Sequence, residues 1–404
     1  MARAYPRRVC VTGIGVIAAC GIGKEAFWEG LLTSDPGDAS RRVVAFDPQP
    51  YFDNPKEVRR ADRFQQMAVA SATMALRDAG GDPSVFGGGL GADPARSGVM
   101  VATGVGGLET LEEQIQIRLE KGERRVSPFL VPMMMPNAAA ASVSMRFGFQ
   151  GPCEAVVTAC ASGTHAIGNA ARLIATGSTD VMLAGGSESA MTPTSMAGFR
   201  NMTALSTSGW SRPFDSRRDG FVMAEAAGVL VLEELEHALA RGARIYAEVL
   251  GSASTADAHH ITAPAPGGGG AVRCMELALS DAGVTPADVR HVNAHGTSTP
   301  LNDAAEAEAL SKVFGSPGPI ITSTKGVTGH ALGAAGAIEG ATLALSIFHR
   351  LIPPTRGSSA ETLDPDIHID LVLGQPRSWE PGIAISNSFG FGGHNGTIVM
   401  APVR

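Results

Sequence analysis

The stretch "AVVTACASGTHAIGNAARLI", residues 155–174, sets one cysteine where a β-branched run gives way to a helical pattern. Ala159, Ala161 and Gly163 surround Cys160, so nothing bulky in the local sequence covers its sulfur. Ile167, Ala170, Ala171 and Ile174 recur at spacings of 3, 4 and 7 and give the following helix one apolar face. A thiol at such a helix N-terminus feels the positive end of the helix dipole and unpaired backbone N–H groups, both of which favour thiolate. The small neighbours also leave room for a carbonyl to approach. The alternative is a small apolar filler at a strand–helix junction, which is the role expected for Cys10, Cys20, Cys153 and Cys274.

Two further segments have the same character. "VNAHGTSTPLND" puts His295 after a β-like run, in a loop of glycine and hydroxyl residues. "STKGVTGHALGAAG" puts Lys325 and His330 after another, ahead of a helix of small residues. Either histidine alone would read as structural, but open α/β sheets collect their active sites at strand ends, and here three polar centres stand at three of them. Competing chemistries fit less well. His291 and His295 have a metal-like interval, but on a strand they need not share a face, and no acid stands between them. "GGSES" at 185–189 lacks the last glycine of a serine-hydrolase elbow. "GVGG" at 104–107 and "GFGG" at 390–393 lack the dinucleotide-binding pattern, and "GGGG" at 267–270 reads as a flexible surface loop.

The elements that must position these groups alternate along the chain. Strands are expected at 97–103, 154–159, 180–186 and 228–235, with helices at about 62–79 and 162–176. The pattern restarts after Gly242 with the strand "RIYAEVLGSA", helix 271–283, "RHVNAH", helix 303–314, "IITST", helix 333–349 and the pair "GIAISNS" and "GTIVMAP". Two α/β halves follow, 1–243 carrying the cysteine and 244–404 carrying the histidines, without a residue-level repeat between them.

Composition agrees with one compact body. No linker or block of like charge divides the 404 residues; 44% are hydrophobic, 5% aromatic and 50 are glycine, which suits close backbone packing. A net charge of −7 gives no footprint for nucleic acid, although Lys56, Arg59, Arg60 and Arg63, and Arg124 with Arg125, form basic clusters. Five cysteines without a CxxC pair favour a reduced, cytoplasmic setting over a disulfide scaffold. Two stretches imitate membrane or export signals. "VCVTGIGVIAAC" is broken by Gly13 and Gly15 and reads better as a buried first strand; "ALGAAGAIEGATLALSIF" carries Glu339 and reads as a helix inside a protein, where the carboxylate must find a cation or donors. No membrane association is expected.

Taken together, "TACASG", "VNAHGTSTPLND", "STKGVTGHALGAAGAIE" and "NSFGFGGHNG" resemble the β-ketoacyl-(acyl-carrier-protein) synthases of the elongating type II kind, and the similarity runs from "RRVCVTGIG" to the last strand. The resemblance implies a thiolase fold: two similar α/β halves in a five-layered α-β-α-β-α arrangement, usually in a homodimer. It implies a decarboxylating Claisen condensation in fatty acid elongation. Cys160 would carry the acyl chain, His295 and His330 would serve the malonyl group, Lys325 would organise the histidines and Glu339 would be the acid beside it. The N–H groups of Cys160 and Phe391 would form an oxyanion hole, with Phe391 as a gate; Thr297 and Thr299 would hold the phosphopantetheine arm, and Val105 and Phe199 would line the acyl pocket. Asn293, Glu339, Ser386 and Asn387 match a Na+ or K+ site, although the same groups could satisfy one another; no other cofactor is implied. The expected partner is acyl- and malonyl-loaded carrier protein, met by Lys56, Arg59, Arg60, Arg63, Arg124 and Arg125. One alternative is the ketosynthase subunit of a type II polyketide or polyene pathway, paired with a chain-length-factor homologue. The other, a non-catalytic partner subunit, expects loss of a cysteine that is present. Residues 34–60, and His394 where many bacterial members have threonine, depart from the family pattern.

Overall fold

A computed structural model describes residues 5–35 and 41–403. Eleven strands carry the architecture. Val9–Ala18 (β1), Ser97–Ala102 (β2), Cys153–Glu154 (β3), Val181–Glu188 (β4) and Ala226–Glu234 (β5) belong to the first half. Ala247–Ala256 (β6), Val289–Asn293 (β7), Ile320–Thr322 (β8), Asp370–Leu371 (β9), Ile383–Gly390 (β10) and His394–Ala401 (β11) belong to the second. They hydrogen-bond in the order β9-β8-β7-β10-β11-β6-β1-β5-β4-β2-β3. From its outer edge the first half reads β3-β2-β4-β5-β1, with β3, β2 and β4 parallel and β5 antiparallel to both neighbours. The second reads β8-β7-β10-β11-β6 with the same directions and one extra edge strand, β9. One topology is therefore built twice, and the halves meet where Val9–Val11 pair with Ala247–Val249.

Helices fill three layers around the strands. Arg63–Asp78 (α1) and Ala138–Phe147 (α2) cover the outer face of the first half. Ser162–Ala175 (α3) and Ala335–His349 (α6) touch strands of both halves, while Gly269–Ala282 (α4), flanked by Pro300–Phe314 (α5), closes the far side. This is the five-layered thiolase arrangement. The apolar spacing read from the sequence explains the central layer: Ile167, Ala170 and Ile174 of α3 pack in one core with Ile338 and Leu345 of α6. α6 needs no solvent-facing stripe because it is sandwiched, and 89% of its apolar window is buried. The start of α1 is fixed locally, since Asp62 and Gln65 form a capping box.

Several expectations are corrected. Of the strand expected at 154–159, only Cys153–Glu154 pairs; Ala159 has φ 49° and the chain turns through a 3₁₀ segment, Ala159–Ala161, into α3. β2 ends at Ala102, so a partner for a longer strand runs out. "GGGG" is not a flexible surface loop: Gly269 and Gly270 open α4, and a Cβ on Gly270 would fall 1.9 Å from Asp257 Oδ1. Cys153 is exposed and so is not core filler; Cys10 and Cys274 are buried, and Cys20 is partly buried against the core. Of the unusual segment 34–60, residues 36–40 lie outside the described residues; Pro55–Val58 forms a short helix capped by Asn54.

The layering predicts where a truncation hurts. Ile167→Ala empties a fully buried position between the sheets and is expected to cost about 2–5 kcal/mol. Leu277→Ala, on the exposed side of α4, is expected to stay within about 0.5 kcal/mol. Urea unfolding of the two variants checks this, and equal losses would contradict the central placement of α3.

Candidate active site

Three side chains from three strand–helix connections converge. Cys160 is buried on the turn before α3. His330 Nε2 lies 3.1 Å from its sulfur. The thiol and one ring nitrogen each of His295 and His330 all fall within 4.8 Å of one another. The two imidazoles meet edge-on at 5.3 Å between centroids, and Phe221 stands edge-on to His330 at 5.2 Å.

The backbone around each histidine is pinned. His330 N–H donates to Val222 O (2.8 Å) and its carbonyl accepts from Ala224 N–H (3.0 Å). His295 N–H and Gly296 N–H donate to the two carboxylate oxygens of Glu306 at 2.8 and 2.7 Å. Lys325 Nζ reaches the His295 carbonyl at 2.5 Å, His295 Nδ1 at 3.3 Å and the carboxylate of Glu339. The acid on the small-residue helix has thus found its cation, and both side chains are 1% exposed.

This geometry assigns the tautomers. An ammonium faces His295 Nδ1, so its ring hydrogen sits on Nε2, where the Phe389 backbone accepts it. His330 Nδ1 is buried without a partner among the described residues; an unpaired lone pair costs less there than an unpaired N–H, so Nε2 again carries the hydrogen and aims it at the sulfur. Burial, reinforced by the charge of Lys325, holds both imidazoles well below their ordinary pKa, so they are neutral donors at physiological pH. Burial also pushes the Cys160 thiol up to about 12, against the pull of Lys325 and of the Phe391 backbone N–H. Against the expectation that the helix terminus favours thiolate, desolvation outweighs the pull of Lys325 and of the Phe391 N–H in the resting protein.

A cavity of about 350 Å³ opens onto these groups. Phe199, Thr297, Thr299 and Phe391 line it, and the two threonine hydroxyls are 2.9 Å apart. Phe391 lies 6.5 Å from Phe199, ring to ring, in the 3₁₀ turn Phe391–Gly393 that His394 follows. Val105 does not line this cavity; it is 40% exposed on the chain's surface. A larger cleft of about 660 Å³ lies between the halves beside Arg8, Arg172 and Glu248, and none of the expected site residues lines it.

Four polar residues expected to gather around a cation divide. Asn293 Nδ2 donates to the Glu339 carbonyl (3.3 Å) and to Ser386 Oγ (3.4 Å), while Asn293 Oδ1 and Glu339 Oε2 are buried without partners among the described residues. Asn387 turns elsewhere, accepting from Thr397 and donating to the sulfur of Met275. Among the basic residues, Lys56, Arg59, Arg60, Arg124 and Arg125 are exposed, with Arg60 stacked 4.5 Å over the Phe129 ring. Arg63 is not available for docking, because it grips the fully buried Glu225 with two nitrogens at 2.9 and 2.7 Å.

Comparison with known proteins decides the family. The family model "Beta-ketoacyl synthase, N-terminal domain" matches residues 33–238 and its C-terminal counterpart matches 246–359. The chain belongs to the β-ketoacyl synthase family. Relatives within it include the 3-oxoacyl-[acyl-carrier-protein] synthase 2 of Synechocystis, 44% identical over 99% of both chains, and that of Rhizobium meliloti, 45% identical over 98% of both. Among solved β-ketoacyl synthases, one from Burkholderia phymatum superposes with a TM-score of 0.89 at 33% identity, covering 98% of this chain and 100% of its own. The ishigamide ketosynthase/chain length factor gives a TM-score of 0.91 at 32% identity, each chain covered fully.

Sequence reasoning missed Glu306 and Phe221. Glu306 was legible, since Asp303, Glu306, Ala307 and Leu310 share one face of α5 and an acid on an apolar face needs donors. Phe221 had no signal, because its ring meets His330 only through tertiary packing. The raised thiol pKa makes a direct prediction. Alkylation of Cys160 by iodoacetamide, read on its own peptide by mass spectrometry, is expected to rise about tenfold per pH unit from about pH 6 to 9. A plateau reached near neutral pH would mean that the thiolate is already formed.

Proposed function

We propose that this chain catalyses the decarboxylating condensation of an acyl thioester with malonyl-carrier protein, giving the 3-oxoacyl-carrier protein of fatty acid elongation. The observation that carries this reading is the convergence of the Cys160 sulfur with two neutral, N–H-bearing imidazoles at the floor of one cavity. The Cys160 sulfur attacks the acyl thioester; the carrier thiol leaves with a proton, and the N–H groups of Cys160 and Phe391 hold the oxyanion. Malonyl-carrier protein then enters. Its carboxylate departs as carbon dioxide, the bonding pair passes into an enolate, His330 donates Nε2–H to the enolate oxygen, and His295 shares its Nε2–H between that oxygen and the Phe389 carbonyl. The enolate carbon attacks the acyl group, a C–C bond forms, the C–S bond breaks and the cysteine is regenerated. Neutral imidazoles suit this role because an N–H donor is ready in the ground state without a proton having to be acquired.

Supporting roles follow from position. Thr297 and Thr299 hold the phosphopantetheine arm, Phe199 lines the acyl path and Phe391 gates it. Asn293, Ser386 and Glu339 are the residues that would hold a monovalent cation, which would take the two unpaired oxygens there as ligands. Lys56, Arg59, Arg60, Arg124 and Arg125 meet the acidic carrier protein through screened surface attraction. Exposed Val105, Val131, Met135 and Val157 and the edge strand β3 supply a face for a second copy, and Val105 contributes to acyl binding only in that dimer. Five free cysteines suit a reducing cytoplasm.

A second reading is the ketosynthase of a type II polyketide pathway with a chain-length-factor partner. A ketosynthase described as bound to a hexaketide and in complex with its type II acyl-carrier protein superposes with a TM-score of 0.88 at 34% identity. The greater similarity to the elongating synthases favours the first reading.

Mutation separates the half-reactions. Cys160→Ala is expected to abolish acyl-enzyme formation and condensation while still releasing carbon dioxide from malonyl-carrier protein. His330→Ala is expected to retain acylation and lose decarboxylation by about 10²–10³-fold, the usual worth of one oxyanion donor. Labelled carbon dioxide release and intact-protein mass spectrometry read both. Full condensation by Cys160→Ala, or wild-type decarboxylation by His330→Ala, would overturn the assignment.

A further inference from the structure

The duplicated topology places a second strand-to-helix turn opposite the one that bears the cysteine. The turn Ala159–Ala161 leads into α3, and Leu332–Ala334 leads into α6. Both begin with a non-glycine residue at positive φ, 49° for Ala159 and 43° for Leu332, a conformation that side chains rarely adopt. The middle residue is Cys160 in one and Gly333 in the other. Each turn is met by a strand of the opposite half. At the end of β10, Gly390 comes so close to the first turn that a Cβ there would lie 3.0 Å from the Cys160 nitrogen. At the end of β4, Gly186 approaches the second turn, where its Cβ would lie 2.8 Å from the Gly333 oxygen.

The two turns differ in what faces their middle N–H. Beside Cys160 the cavity opens. Beside Gly333 stands the fully buried carboxylate of Glu188, the last residue of β4. Its Oε2 accepts from Gly333 N–H at 3.1 Å and from Gly104 N–H at 2.6 Å; Oε1 accepts from Thr103 Oγ1 at 2.9 Å, and the Val105 backbone N–H also donates. No cation pairs with it in these contacts. Burial therefore raises its carboxyl to about 7 in spite of four donors, a cost that an apolar residue would not carry.

We propose that Glu188 is a positioning residue for the condensation: an internal anion that fills the duplicate of the nucleophile's oxyanion site and thereby holds the His330–Gly333 segment against Cys160. The segment is short and held at both ends. Val222 and Ala224 fix His330 at one, Glu188 fixes Gly333 at the other, and Leu332 between them lines the cavity and packs beside Cys160. The same carboxylate gathers Thr103, Gly104 and Val105 from the end of β2, so the loop that carries Val105 and the turn that follows His330 share one anchor. Gly104 and Gly333 pack backbone to backbone, since a Cβ on Gly333 would fall 2.0 Å from the Gly104 nitrogen. Without the carboxylate, two buried N–H groups face each other unpaired and the segments must part.

This inference rests on the assignment of His330 to the malonyl half-reaction. The test is Glu188→Ala beside Glu188→Gln and His330→Ala, with Cys160 acylation and carbon dioxide release measured on each. Glu188→Ala is expected to acylate within about threefold of the wild type and to lose decarboxylation by about 10–100-fold, as for a donor displaced by about an ångström. Glu188→Gln keeps an oxygen for Gly104 and Gly333 and an amide for Thr103, and is expected to restore decarboxylation to within about threefold. Losses in Glu188→Ala that are equal in both half-reactions, or a Gln variant as impaired as Ala, would overturn the proposal. Where Glu188→Ala does not fold, Glu188→Asp serves: one methylene shorter, it draws the carboxylate from Gly333, and its expected result is the same split, with equal losses again overturning the proposal. If His330→Ala itself decarboxylates normally, the fault lies in the site assignment; if His330→Ala fails and the Glu188 variants show no split, it lies in this inference alone.

Discussion

The close approach of α3 and α6 is the constraint on which the site depends. A Cβ on Gly163 would lie 2.6 Å from the Ala337 nitrogen, and one on Gly336 would lie 2.1 Å from Thr164 Oγ1. Glycine inside a helix costs roughly 1 kcal/mol relative to alanine, and here that cost is offset by packing two helices of opposite halves almost backbone to backbone. The consequence is chemical. The turns at the heads of both helices come together, and a thiol from one half meets an imidazole from the other at 3.1 Å. Larger residues at the crossing would part the halves and, with them, the thiol and the imidazole.

The second constraint is electrical. The same central layer is buried, so a charge placed there needs a counter-charge or hydrogen-bond donors. Lys325 and Glu339 match each other, and the ammonium is left facing His295 Nδ1, which fixes where that ring keeps its hydrogen. Three buried carboxyls, Glu188, Glu306 and Glu339, are each raised by burial to about 7, and each sits under a segment that carries a functional group. Removing one would leave stranded donors in a dry interior, which is why their effect reaches beyond their own contacts. Neutral imidazoles and a protonated thiol follow from the same desolvation.

Much of this was legible in the residues. Periodicity located the central helices, and the strand ends bearing Cys160, His295 and Lys325 marked the site, because those signals are local. What escaped depended on tertiary surroundings. The run at 154–159 has strand-forming residues but lacks a long neighbour to pair with. "GGGG" looks mobile until Asp257 is seen against Gly270. Arg63 reads as surface charge until Glu225 is found beneath it. The thiol's pKa was misjudged because a helix terminus is visible in sequence, whereas the depth at which it is buried is not. Glu188 was passed over within a motif judged on its serines, since its four donors come from segments far apart in the chain.

The proposed nucleophile is a buried cysteine rather than an accessible one. Peptide mapping with cleavage at Glu154, which separates exposed Cys153 from buried Cys160, tests this most directly on the unmodified protein after incubation with acyl-carrier protein. The acyl mass is predicted on the peptide containing Cys160 and on none containing Cys10, Cys20, Cys153 or Cys274. An acyl group carried on Cys153, or acyl transfer that leaves the Cys160 peptide unmodified, would contradict the account.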